Sequence, residues 1–278
     1  MLSLFIAFGF SACSLNDNFD NIDCGADTDL AFTGFPLLCN YSVKTLPNNP
    51  TAVVVNSQEK MTEYFTKHEN TCPVASDPTI DFTKFYMVGI FAGQKSTSGY
   101  AIKMTSIVEN NCEIIINFYE KGPQAGEAIT QVPTYPSDFI LIPKTAKAIL
   151  FNRTNETPDN IVIGSYGTTN SFFQLNDYNI LKFQNVATGN YDFGQYKYAA
   201  VTKRGDYNLF LKNVPAEITA IKGQTKTYGT PSAAGLYFQL TQGAVVTKIY
   251  IDNADTADQT TAIKAFKKEI QDKITSLK

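Results

Sequence analysis

Phe85-Tyr86-Met87-Val88-Gly89-Ile90-Phe91, then Tyr100-Ala101-Ile102-Lys103-Met104-Thr105-Ser106-Ile107-Val108, then Glu113-Ile114-Ile115-Ile116-Asn117-Phe118 decide the fold class. Each is short, rich in β-branched and aromatic residues, and bounded by turn-forming residues, which is the pattern of strands. Asn110-Asn111 lies between the second and third and predicts a hairpin turn. A fourth strand is expected at Phe139–Ile142, after a loop punctuated by Gly122-Pro123 and by the prolines from Pro133 to Pro136.

Working outward, Ala52-Val53-Val54-Val55 reads as a further β-run. Asn56 and Glu59 then supply an N-cap and its box partner for a short helix. Met61, Tyr64, Phe65 and His68 fall at i, i+3, i+4 and i+7 along it. Residues 51–152 are expected to form one β-rich domain. Residues 153–160 close the run NRTNETPDN, which has no apolar residue and is expected to be a linker. Residues 161–278 then form a second β-rich domain, with strands around Phe172–Leu175, Asn179–Phe183, Tyr196–Thr202, Leu236–Leu240 and Val245–Ile251. A terminal helix closes it, with Ile263, Phe266, Ile270, Ile274 and Leu277 as one apolar stripe and Asp255 or Thr256 as its cap. The fold class is therefore α+β and predominantly β.

Composition narrows the functional classes. With 278 residues, 44% hydrophobic and 18% charged, the chain has the make-up of a folded globular protein. Its net charge is −3 and its lysines are scattered, so it carries no electrostatic footprint for nucleic acid. The N-terminus is different. Leu2 to Phe10 is an almost unbroken apolar run, followed by Ser11, Ala12 and Cys13, although no Lys or Arg precedes it. Residues 1–12 thus read as a signal peptide ending in a lipobox like those of bacterial lipoproteins, with Cys13 as the acylated residue. That address is the bacterial cell envelope, at the outer membrane or cell surface, on a lipid anchor. Residues 13–50 then serve as a tether and a disulfide-containing segment.

Cysteine usage agrees with export. Removing Cys13 from five leaves Cys24, Cys39, Cys72 and Cys112, an even number that allows three pairings. Cys24–Cys39 with Cys72–Cys112 is favoured, because each bond then closes a loop within one segment. A zinc site would want paired C-x-x-C spacing, which is absent, so no metal is expected.

Asp81-Phe82-Thr83-Lys84 leads into Met87 to Phe91 and then Ala92-Gly93-Gln94-Lys95-Ser96-Thr97-Ser98-Gly99-Tyr100. Further on stand Gly122-Pro123 and Ala128-Ile129-Thr130-Gln131-Val132-Pro133-Thr134-Tyr135-Pro136. Together these stretches resemble the C-terminal domain family of PrcB, bacterial protease-complex accessory lipoproteins, over about residues 52–145. The family's G-x-x-x-T-G-G-Y turn corresponds to Gly93 through Tyr100, with Ser98 in place of a glycine. The resemblance implies a small β-rich module that associates with an exported protease or other envelope protein, and it implies no catalysis. The residues expected to meet such a partner are Ser96, Thr97, Gly99, Tyr100, Gly122, Pro123, Gln131 and Tyr135, with Tyr100 or Tyr135 as aromatic anchors. Read physically, Gly93 and Gly99 flank a turn needing positive φ that Thr97 and Ser98 can close through their side chains.

Catalytic patterns are sparse. His68 is the single histidine and lies beside Glu69 and Asn70 at the expected end of a short helix. Ser57-Gln58-Glu59-Lys60 matches S-x-x-K, but the companion elements of that enzyme class are missing and Ser57 adjoins the cap. Asp252, Asp255 and Asp258 recur every third residue, whereas a calcium loop wants closer carboxylates and a glycine. The expectation is a monomeric, non-enzymatic accessory or binding module without a cofactor. The alternative is a surface receptor that takes a small ligand or glycan in a tyrosine-lined cleft between the domains; an enzyme built on convergent carboxylates comes third.

Overall fold

The computed structural model describes residues 23–73, 77–123, 127–155, 159–167, 170–201, 206–230 and 234–278. The lipobox and Cys13 lie outside them. In the first half, β1 (Thr28–Asp29), β2 (Thr33–Gly34), β3 (Tyr41–Val43), β4 (Thr51–Val55), α1 (Gln58–Tyr64) and β5 (Phe65–Lys67) precede the long strands. Those are β6 (Phe85–Phe91), β7 (Ala101–Glu109), β8 (Glu113–Lys121), β9 (Ser137–Pro143) and β10 (Ala148–Arg153). β7 and β8 form the expected hairpin, where Asn110 Oδ1 accepts from the amides of Cys112 (2.9 Å) and Glu113 (3.0 Å).

Strands in the order β1-β7-β8-β10 make a four-stranded sheet, with β10 parallel to β8. It packs on the β9-β6-β4 side of a larger sheet. Val88, Ile90, Ile140 and Ile142 meet Ile102, Ile107, Ile114 and Ile116 in one buried core. Each such side chain contributes about 2 kcal/mol on burial. The other face of the larger sheet presents Met87, Phe91 and Phe139 to Met61 of α1 and to Tyr41 and Phe65 of the β3–β5 ribbon. Two expectations change here. Ser57 rather than Asn56 caps α1, its Oγ accepting from the Lys60 amide at 3.2 Å. The helix also stops at Tyr64, because Phe65 is drawn into β5 opposite Val43, and His68 lies beyond with its amide bonded to the Asn40 carbonyl.

The second half comprises β11 (Asn160–Tyr166), β12 (Ser171–Leu175), β13 (Ile180–Phe183), β14 (Tyr198–Val201), α2 (Asp206–Leu211), α3 (Ala216–Thr219), β15 (Thr225–Tyr228), β16 (Gly235–Gln242), β17 (Val245–Asp252) and α4 (Thr261–Leu277). The predicted stripe of α4 packs Ile263, Phe266, Ile270 and Ile274 against Ile161, Ile163, Phe238 and Ile249. Its cap is Thr260, whose hydroxyl accepts from the Ile263 amide at 3.2 Å, and not Asp255 or Thr256.

Those upstream residues are otherwise engaged. The buried Lys267 ammonium donates to Asp255 (2.6 Å), to Gln259 Oε1 (2.9 Å) and to the Asn253 carbonyl (3.2 Å), filling an oxygen cage. Asp258 accepts from the Gly229 amide (2.8 Å) and the Thr256 hydroxyl (2.6 Å). Asp252 in turn accepts from the Ala254 amide (2.9 Å), so the three aspartates are engaged within the turn before α4, and of their carboxylates Asp255 is the one that meets the amine. The hydrogen bond from Lys267 holds the Asp255 carboxyl below its ordinary value, so its stabilising contribution is lost as pH falls through that lowered value.

The two halves share one sheet of eleven strands, ordered β15-β17-β16-β11-β12-β13-β14-β2-β9-β6-β4. β2 is the joint, pairing Gly34 with Tyr198 on one side and with Ile140 on the other. A Cβ on Gly34 would lie 2.0 Å from the Tyr198 ring, so only glycine allows this crossing. The stretch from Cys24 to Val43, expected to be a disulfide-containing segment after the tether, is woven into the fold.

This weaving overturns the favoured cysteine pairing. β1 pairs with β7 and brings Cys24 to the hairpin turn, where it bonds Cys112 across 88 positions. The Thr71 amide bonds the Cys39 carbonyl (2.9 Å) beside the β3–β5 ribbon, and the second disulfide is Cys39–Cys72. Peptide mapping without reduction is expected to recover these two bonds, and loop closure alone makes each worth about 4 kcal/mol. Lys267→Met should lower stability by about 2–3 kcal/mol, read as a fall in Tm of about 5–10 °C, because the caged oxygens lose their donor. An unchanged Tm would show that the cage is satisfied without the amine.

Candidate functional site

The two loops expected to meet a partner lie side by side. Gly93 (φ +76°) starts the first by crossing close under the 48–50 segment, where a Cβ would come within 2.7 Å of the Asn48 carbonyl. Lys95 and Thr134 then exchange both backbone hydrogen bonds, at 2.8 and 2.9 Å. The Thr134 hydroxyl donates to the Thr97 carbonyl at 2.7 Å. The Ser98 amide donates to the Thr130 carbonyl (3.0 Å), and the Thr130 amide returns the bond to the Ser98 hydroxyl (2.8 Å). Ser98 therefore joins the loops together, beyond the local role expected of it. Gly99 (φ +88°) sits where a Cβ would come within 3.0 Å of Pro123 and 3.2 Å of Ile129. Gly122 rests against the ring of Tyr100.

A charged group underlies this platform. Lys95 Nζ lies 2.5 Å from Glu120 Oε1 and 5.6 Å from the centre of the Tyr100 ring. Arg153 reaches the other Glu120 oxygen at 3.6 Å. Lys95 and Glu120 are mostly enclosed, so the pair fixes the position of the first loop over β8.

Of the predicted contact residues, Ser96 and Gln131 are exposed, while Thr97, Gly99, Tyr100, Gly122, Pro123 and Tyr135 are half-buried and shape the platform from within. The outermost apolar side chains are Ile129 (40% exposed) and Val132 (58%), which sequence reasoning did not single out. Their signal was an apolar residue placed twice in a proline-bounded stretch without strand alternation.

A second concavity of about 240 Å³ lies between the halves, lined by Lys103, Tyr119, Gln174, Asn176, Tyr178 and Tyr198 among others. Buried Asp138 anchors one side, accepting from Lys103 (2.6 Å) and from the Met104 amide (2.9 Å). Burial, and next the neighbouring Asp138, push the Tyr198 phenol well above its ordinary pKa, so it stays a neutral hydrogen-bonding group. The cleft mixes polar groups with apolar ones such as Leu181, Phe183 and Phe193, and has tyrosine rings in its wall. Among the described residues, no group of three or more His, Cys, Asp and Glu side chains gathers round a common point.

Gly99→Ala is expected to cost about 1–2 kcal/mol through its left-handed backbone and its contact with Pro123. It should also speed amide exchange at Ser98 and Thr130. Unchanged exchange at those two amides would show that the loops hold together without the glycine.

Comparison with known proteins bears on the same segment. A family described as PrcB C-terminal matches residues 86–143, which run from β6 through β9 and contain both loops. No curated protein and no solved structure matches the chain. The two disulfides fit an oxidising, extracytoplasmic compartment. Among the described residues no helix is long and apolar enough to cross a membrane. Residues 86–143 form a domain similar to the C-terminal domain of PrcB.

Proposed function

We propose that this chain is a non-enzymatic accessory lipoprotein, held on the outside of a bacterial membrane by acylated Cys13, that captures an exported protease or another envelope protein. The zipped pair of loops within the PrcB-like segment carries this reading. Main-chain bonds fix both loops, so docking costs them little conformational freedom. Ile129 and Val132 offer apolar contact, and Ser96, Thr130 and Gln131 form a polar rim around it. Tyr135 supports the second loop from its half-buried position.

Affinity capture from detergent extracts of the cell's own envelope tests the proposal, with mass spectrometry to identify what is retained. The wild-type chain is expected to retain one exported protease or envelope protein in near-equal amount. Val132→Asp should reduce that recovery about tenfold at unchanged Tm, since it places a charge in the apolar contact. Recovery that is equal for both proteins would reject the platform as the binding surface.

A second reading, a surface receptor for a small ligand or glycan, draws on the junction cleft with Lys103, Asn176, Tyr178 and Tyr198 in its wall. Glycan-array binding that Tyr178→Ala removes while Val132→Asp spares it would favour this reading over the first.

A further inference from the structure

We infer that the open side of the sandwich, between β4 and β10, receives an extended peptide of the captured partner as an added strand; this rests on the binding function proposed above. β4 ends the eleven-stranded sheet and β10 ends the four-stranded one, so each is paired along one edge only among the described residues. Both edges border a cleft of about 310 Å³ whose apolar wall includes Ile90, Ile102, Phe118 and Phe151. The register explains why it stays open. Ala52, opposite Ile90, stands at the start of β4 where a larger side chain would fill the mouth.

Apart from Pro50 before β4, Lys147 before β10 and Arg153 at its end, neither edge carries the devices that usually discourage strand addition. Thr51 to Val55 and Ala148 to Phe151 contain no charge and no proline, and Leu150 is 45% exposed. Charge enters only at Arg153, which lines the cleft and whose side chain is 62% exposed. Glu120 is already held by Lys95 at 2.5 Å, so the group carries one positive charge in excess at the mouth.

These features define the occupant. Its backbone extends a sheet ladder, its side chains at alternate positions enter the cleft as apolar groups, and a carboxylate beyond them meets Arg153. The cleft is continuous with the loop platform. The Gln94 amide bonds the Asn48 carbonyl (3.1 Å) just before β4, and Lys95 shares Glu120 with Arg153.

The test adds a synthetic hexapeptide of alternating valine and threonine ending in aspartate to the intact chain, and follows amide exchange and affinity. A proline-interrupted version is the control. Binding should protect amides within 51–55 or 148–153, and the control should not bind. Ala52→Phe, at an exposed position, should weaken binding about tenfold by filling the cleft. Arg153→Gln should abolish the preference for terminal aspartate over asparagine. No binding, equal binding to Ala52→Phe, or protection elsewhere would overturn the inference. So would edge protection that rises with protein concentration alone, which would assign the edge to a second copy of the chain. Partner capture that survives Ala52→Phe but not Val132→Asp would remove this inference and leave the platform standing. Failure of the platform reading would instead show as capture equal for the wild type and Val132→Asp, or as no partner captured by the wild type.

Discussion

Two residues, Thr33 and Gly34, hold the halves of this molecule in one sheet. Between β9 and β14 the ladder passes through β2 alone, and two paired residues on each side contribute only a few kcal/mol. The joint persists because its surroundings are strong. Phe32 is buried with the sandwich core, and Phe35 and Leu37 are buried beneath α1 and the β3–β5 ribbon. Disulfides fasten the same segment on both sides of the joint, at Cys24 and at Cys39. Because Gly34 lacks a side chain, the Tyr198 ring can lie across it and enter the wall of the junction cleft.

Everything at the candidate site hangs from strands fixed by that arrangement. β6 delivers Gly93, β7 begins just after Tyr100, β8 supplies Glu120, and β9 takes over just after Tyr135. Between them the loops are held mostly by main-chain bonds, which place few demands on side-chain identity. The exposed side chains are therefore free to suit a partner. Lys95, by contrast, is committed to Glu120 and Tyr100, and its replacement would loosen the first loop.

The strands with clear boundaries were legible in the sequence. β6, β7, β8 and the middle of β9 fall where the apolar runs stand, and α4 keeps its predicted stripe. β11 was not picked out, because Ile161, Val162 and Ile163 are all buried and a strand covered on both faces shows no alternation. β10 was obscured by the polar run into which it ends, and α2 and α3 are too short to show a helical period. Caps were misplaced where a better acceptor had another duty, as Asp255 has with Lys267. The cysteine pairing failed for a different reason. Proximity along the chain says nothing once β1 has carried Cys24 onto β7. At the site, the turn glycines were legible from their chemistry, whereas the lateral zipping of the loops rests on main-chain pairing between distant residues, to which the Ser98 and Thr134 hydroxyls add.

The position of the joint also sets a timetable. Thr33 and Gly34 leave the ribosome early, yet their partners are Ile140 and Leu141 on one side and Tyr198 and Ala199 on the other. During synthesis the N-terminal stretch waits unpaired until β9 has followed it, and its second pairing waits for β14. In that interval β2 is itself an unpaired strand open to wrong pairing. Early oxidation could join Cys24 to Cys39, since Cys72 and Cys112 emerge later, and that bond is absent from the finished fold. Native pairing therefore depends on β1 meeting β7 before Cys24 is oxidised, so the order in which strands and disulfides form is part of what this sequence has to specify.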